Sequence, residues 1–151
     1  MARSYALFTG YILLAFSVSP LHAEQSRTFG DYTVHYSAFT TDILSPSIAK
    51  LYNITRSNSR ALLNVSILKQ VMGTSTKPVK AKVSATASNM NLQLRQLTVR
   101  EIVESGEPGA IYYLAETSVD NGETLSYNVK FTPDGEEFTY DFSFQQQFIT
   151  E

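Results

Sequence analysis

Nearly every apolar cluster beyond the first two dozen residues repeats with a period of two, and this alternation limits the fold more than any other feature of the chain. Such a repeat suits half-buried strands and does not suit helices. In the first run Tyr32, Val34 and Tyr36 share one face, with Thr33, His35 and Ser37 on the other. Leu63, Val65 and Ile67 follow on one face of the run 61–69, while its other face mixes Leu62, Asn64, Ser66 and Leu68. Val79, Ala81, Val83, Ala85 and Ala87 then alternate with Lys80, Lys82, Ser84 and Thr86. Inward residues as small as these predict a place where another sheet or a bulky aromatic ring comes close. Three more runs read the same way: 110–117, 124–132 and 138–148. The last sets Phe138, Tyr140, Phe142 and Phe144 on one face.

Turn chemistry separates the runs. A loop containing Gly73 ends at Pro78, which suits an edge or the start of a strand. Residues 104–109 form a glycine-rich loop, and Asp120-Asn121-Gly122-Glu123 and Pro133-Asp134-Gly135 are tight turns. Between Leu92 and Val99 the apolar parity changes, which marks either a β-bulge at Arg95-Gln96 or a break between two short strands. Ser45 as a cap and Pro46 at the first helical position predict one short helix after the first strand, with Ile48, Leu51 and Tyr52 facing inward. Seven strands without βαβ spacing predict an all-β, antiparallel immunoglobulin-like sandwich, with a small closed barrel as the alternative. Val34, Val65, Val83, Val129 and Phe142 are expected in its core.

The N-terminus carries a different signal. Arg3 precedes an apolar run from Tyr5 to Val18, Pro20 breaks it, and Ala23 stands before Glu24. That order is read as a secretory signal peptide over residues 1–23, cleaved between Ala23 and Glu24. Its apolar run of about 14 residues falls short of the roughly 20 that span a bilayer. Residues 24–151 then form a single exported domain, expected in the periplasm with no membrane insertion after cleavage. Glu24 in place of a cysteine excludes lipid attachment there. Cleavage would remove Arg3 alone among 12 basic residues, leaving 11 against 14 acidic ones, a balance that favours neither nucleic acid nor anionic lipid. The chain has no cysteine, so an exported protein of this kind must hold together by its core, and thiolate metal sites and redox chemistry are closed to it.

Four stretches belong together: 29–39 (Phe29-Gly30-Asp31-Tyr32-Thr33-Val34-His35-Tyr36-Ser37-Ala38-Phe39), 52–57, 60–66 and 110–116. In that order the chain resembles a family of small exported proteins of Gram-negative bacteria classed as a domain of unknown function. The resemblance covers residues 24–151. It implies a periplasmic β-sandwich and supplies no catalytic or binding residues.

The residues offer little catalytic chemistry. His35 is the one histidine after the cleavage point, and no nucleophile elbow accompanies it. Zinc or copper would have only carboxylates beside it, so no metal and no cofactor is expected. Glu101, Glu104 and Glu107, and Asp134, Glu136 and Glu137, read as loop and turn acids and not as a glycosidase pair. Asp120-Asn121-Gly122-Glu123 lacks the spaced ligands of an EF-hand. The binding candidates are Arg56 and Arg60, which flank Ser57-Asn58-Ser59 and could grip an anion, with His35 as a third. The expected function is a non-enzymatic binding domain for an envelope protein or peptide, by strand addition to an open edge. The alternatives are a small-molecule or ion-binding module and, third, an envelope hydrolase.

Overall fold

The computed structural model describes residues 25–107 and 109–150. The expected signal peptide and its cleavage point at Ala23 and Glu24 lie outside them. Among the described residues, ten strands form two antiparallel sheets packed as a sandwich, and neither sheet closes into a barrel. The first sheet contains β1 (Gln25–Phe29), β2 (Tyr32–Thr40), β3 (Arg60–Gln70), β4 (Thr76–Pro78), β7 (Arg100–Glu104) and β8 (Ala110–Ser118), in the order β1-β2-β3-β8-β7 with β4 on the end of β3. The second contains β5 (Ala81–Ser88), β6 (Leu94–Leu97), β9 (Thr124–Pro133) and β10 (Tyr140–Gln147), in the order β10-β9-β5-β6.

The expected seven strands become ten for identifiable reasons. β1 is mostly polar and exposed, so it shows no alternation, yet the two-residue turn Gly30-Asp31 folds it onto β2 with Phe29 opposite Tyr32. Gly30 takes φ +56° at the first central position, where a primed hairpin turn favours glycine. The parity change between Leu92 and Val99 is a strand break and not a bulge at Arg95-Gln96. β6 pairs with β5 in one sheet and β7 pairs with β8 in the other, the chain crossing at Thr98-Val99. Pro78 sits in the three-residue edge strand β4, as its chemistry requires. β5 lies between β9 and β6 only from Ala85 to Ser88; over Ala81 to Ser84, which includes Lys82, it pairs with β9 alone.

Between the sheets the inward faces interdigitate. Val34, Leu63, Val65, Ile67, Val129 and Phe131 are at most 2% exposed. Tyr36 packs 4.7 Å from Phe144, which stacks on Tyr127 at 5.0 Å. The small residues of β5 do receive an aromatic. Tyr113 reaches across, and its hydroxyl accepts the Ala81 amide at 2.7 Å and donates to Glu101 at 3.2 Å. One expected core position differs, and so does the first residue of the aromatic stripe. Val83 is only half-buried, and Phe138 is 65% exposed because the strand starts at Tyr140, after the 134–139 connection.

The helix forms where expected, as α1 (Pro46–Leu51), with the Ser45 hydroxyl accepting from the Ile48 amide. Its orientation differs in part from the expectation, since Tyr52 packs inward as expected but Ile48 and Leu51 do not. Ala49 is the buried residue, while Ile48 and Leu51 are 40% and 69% exposed. The C-terminus explains this. Asn53 adopts φ +52°, its amide returns to the Lys50 carbonyl, and the Ile54 amide returns to the Ala49 carbonyl at 2.8 Å. This double bond pattern is a Schellman cap, and its apolar contact joins Ala49 to Ile54, which fixes the face turned toward the sheet.

Candidate functional site

β3 and β8 are apolar on both sides. Leu62 and Leu114, on the face turned away from the second sheet, are 3% and 5% exposed. With Ala49 and Ile54 they form a second apolar cluster, joined by Phe39, Leu44, Tyr52, Ile102 and Tyr112 at its margin. What buries them is the excursion 41–57, a 3-10 turn (Thr41–Ile43) followed by α1. Its base is pinned by Thr41, whose fully buried hydroxyl bonds the Thr55 carbonyl at 2.8 Å and accepts the Ser57 amide at 2.9 Å.

The excursion covers the face incompletely and leaves a cleft of about 360 Å³. Phe39 from β2, Leu62 from β3 and Leu114 from β8 give it an apolar floor, and Leu44, Ile48 and Ile54 close one side. Its polar groups are few. Tyr52 donates its hydroxyl to the Glu104 carboxylate at the end of β7, and Tyr112 and Asn64 stand on the sheet. The Asn64 amide oxygen is buried and, among the described residues, has no hydrogen-bond partner. A buried acceptor left in that state costs about 1–3 kcal/mol, which the fold tolerates here beside a cavity. Tyr112 also lines a neighbouring hollow of about 280 Å³, shared with His35, Ser66 and Leu68. The outer face of the first sheet therefore carries an apolar lobe and a more polar one.

The candidates named from sequence fall differently. His35 lies on this face, on the wall of the second hollow. The two arginines have separate partners. Arg56 donates to the Asp42 carbonyl at 2.7 Å and closes the base of the excursion. Arg60 pairs with Glu116 at 3.3 Å, and Glu116 also holds Arg100, which reaches the Tyr52 carbonyl at 3.0 Å. Arg56 thus braces the excursion, and Arg60 is held on the sheet beneath it. Sequence reasoning did not single out the Asn64, Glu104 and Tyr52 grouping. The signal for it was the apolar character of both faces of 61–63 and 111–115. Among the described residues, no group of three or more His, Asp or Glu is placed to hold a metal ion.

The model of the family described as Domain of unknown function (DUF4426) matches residues 26–151. The chain belongs to that family. A crystal structure of a DUF4426 protein from Pseudomonas aeruginosa PAO1 is similar to it at 31% identity with a TM-score of 0.71, over 85% of this chain and 96% of that one. FetP from uropathogenic Escherichia coli strain F11, recombinantly expressed in the periplasm, shares 12% identity at a TM-score of 0.56, over 84% of this chain and 94% of its own. At that identity the likeness extends to the fold alone. No curated protein matches the chain in sequence. The family supplies a fold for this DUF4426 domain and leaves its cleft without an assigned role.

Proposed function

We propose that this DUF4426 domain is an exported, non-catalytic binding domain that seats a small ligand in the cleft beneath α1. The observation that carries the reading is the cleft itself, an apolar space of about 360 Å³ with a few converging polar groups on an otherwise well-packed sandwich. The chemistry of the chain supports binding over turnover, with one histidine after the expected cleavage point and no nucleophile motif. The N-terminal order of charge, apolar run, proline and small residue supports work in the periplasm, from a chain beginning at Glu24. Native mass spectrometry of protein released by osmotic shock tests both parts. The expected species starts at Glu24 and carries an added small mass, which Leu114→Trp displaces by filling the cleft. Release only with the membrane fraction would refute the location, and a ligand mass indifferent to Leu114→Trp would refute the site.

One observation favours a protein partner instead. The second sheet ends on the open strand β10, beside the exposed Phe138, whose ring packs 4.9 Å from Tyr140. An extended peptide could add to that edge and use Phe138 as its anchor. Crosslinking through a photoreactive residue at position 138 tests this reading, and the absence of any protein adduct in periplasm would end it.

A further inference from the structure

Taking the cleft beneath α1 as the binding site, we infer that its ligand is a small organic ammonium with an apolar body. The polar chemistry of the cleft is one-sided. Glu104 is the one charged side chain lining it among the described residues, and it is half-buried. Tyr52 donates one hydrogen bond to this carboxylate. A carboxylate offers about four lone-pair sites, so one phenol does not exhaust it. The second acceptor is Asn64, whose buried amide oxygen has no partner among the described residues. Asn64 lines the cleft, so a ligand donor that reaches this oxygen supplies the bond it lacks. Arg60 and Arg100, on the same face, are both drawn to Glu116 at 3.3 Å and do not line the cleft.

The physical consequences differ for each class of ligand. An anion would meet Glu104 with like charge. A neutral apolar molecule would strip water from the carboxylate and return nothing. An ammonium supplies donors to Glu104 and Asn64 while its apolar body covers Phe39, Leu62 and Leu114, and the resulting charge-assisted bonds sit in an apolar lining. The space equals that of about a dozen water molecules, which fits a ligand of one or two rings.

Phenethylamine, phenethyl alcohol and phenylacetate share one body and differ in charge, so they separate these cases. Titrating each into the purified protein and following backbone and methyl NMR signals should show phenethylamine shifting Leu62, Tyr112 and Leu114, with phenylacetate inert. Glu104→Gln should weaken the amine about tenfold or more, the usual worth of a hydrogen bond to a charged group, and leave the alcohol unchanged. Asn64→Leu should also weaken the amine without lowering Tm, since it removes an unsatisfied amide. A fall in Tm with unchanged amine affinity would make Asn64 structural and remove it from the site. Equal binding of all three compounds at the cleft would overturn the ammonium preference and leave the cleft as a binding site. Binding of none of them would overturn the ammonium inference, while the retained mass sought by native mass spectrometry still decides the binding reading on its own.

Discussion

Leu62 and Leu63 are neighbours on β3 and almost equally buried, at 3% and 2% exposure, yet they serve apolar regions of different quality. Leu63 points between the sheets, where its neighbours meet the other layer and the aromatic rings of Tyr36, Tyr127 and Phe144 fill what the aliphatic residues leave. Leu62 points outward, to a face that has only α1 and its flanks for cover. The geometry explains the shortfall. A six-residue helix is about 9 Å long, while four steps between strands span about 19 Å, so the helix cannot roof the sheet it rests on. Two regions of equal burial per residue therefore differ in completeness, and the unfinished one holds the site.

This contrast can be broken experimentally. The largest effect is expected from Phe131→Ala, at a position with no exposure, which should cost about 3–5 kcal/mol by urea denaturation. A midpoint close to that of the unaltered protein would mean that the inner core is not closed. Next come the paired truncations on β3. Leucine-to-alanine changes in cores cost about 2–5 kcal/mol, with the value set by how far the site relaxes. Leu63→Ala should fall near the top of that range and Leu62→Ala near the bottom, because the outer void merges with an existing cleft and takes in water. Equal losses would show that the outer region is as tightly packed as the inner one.

Ser45→Ala should cost about 1 kcal/mol, the usual worth of an N-cap. Hydrogen exchange should show that loss at the Ala49 and Ile54 amides and not on β9. The smallest change at neutral pH is expected for Tyr127→Phe, because the buried Tyr127 hydroxyl has no hydrogen-bond partner among the described residues. Its removal should leave stability within about 1 kcal/mol, on the favourable side. Alkaline melting enlarges the difference. Burial raises the Tyr127 pKa, and Tyr113 is pushed up to about 12 from 10.0, first by its own burial. The unfolded chain releases both phenolic protons earlier, so stability is fully present below pH 10 and declines as pH rises toward about 12. Tyr127→Phe should flatten that decline, and an unaltered alkaline profile would place its hydroxyl in water.

The inner core was legible in the sequence where a strand has one polar and one apolar face, as in Tyr32 to Tyr36 and Leu125 to Phe131. The outer region was not. Where both faces are apolar, alternation disappears, and a stretch such as Ala61-Leu62-Leu63 shows that something covers the second face without showing what. The same limit hid the orientation of α1, since on a helix of six residues a Schellman cap outweighs the larger side chains of Ile48 and Leu51. β1 escaped because Gln25 to Thr28 are polar, which leaves Phe29 as its one apolar residue against the core. Arg56 and Arg60 looked like a pair because they are close in sequence, but their partners, Asp42 and Glu116, come from separate elements.

The pairing of β3 with β8 joins Leu62 to Glu116 and Asn64 to Leu114, segments far apart along the chain. Hairpins such as β1-β2 and β9-β10 close locally and can form early, whereas this ladder has to wait for a long loop to be drawn together, a step that slows folding in β-rich chains. The floor of the cleft straddles that late seam, with Leu62 on one bank and Leu114 on the other. A form of the chain without this seam lacks one bank of the cleft, so a seated ligand would clamp a long-range pairing of the fold.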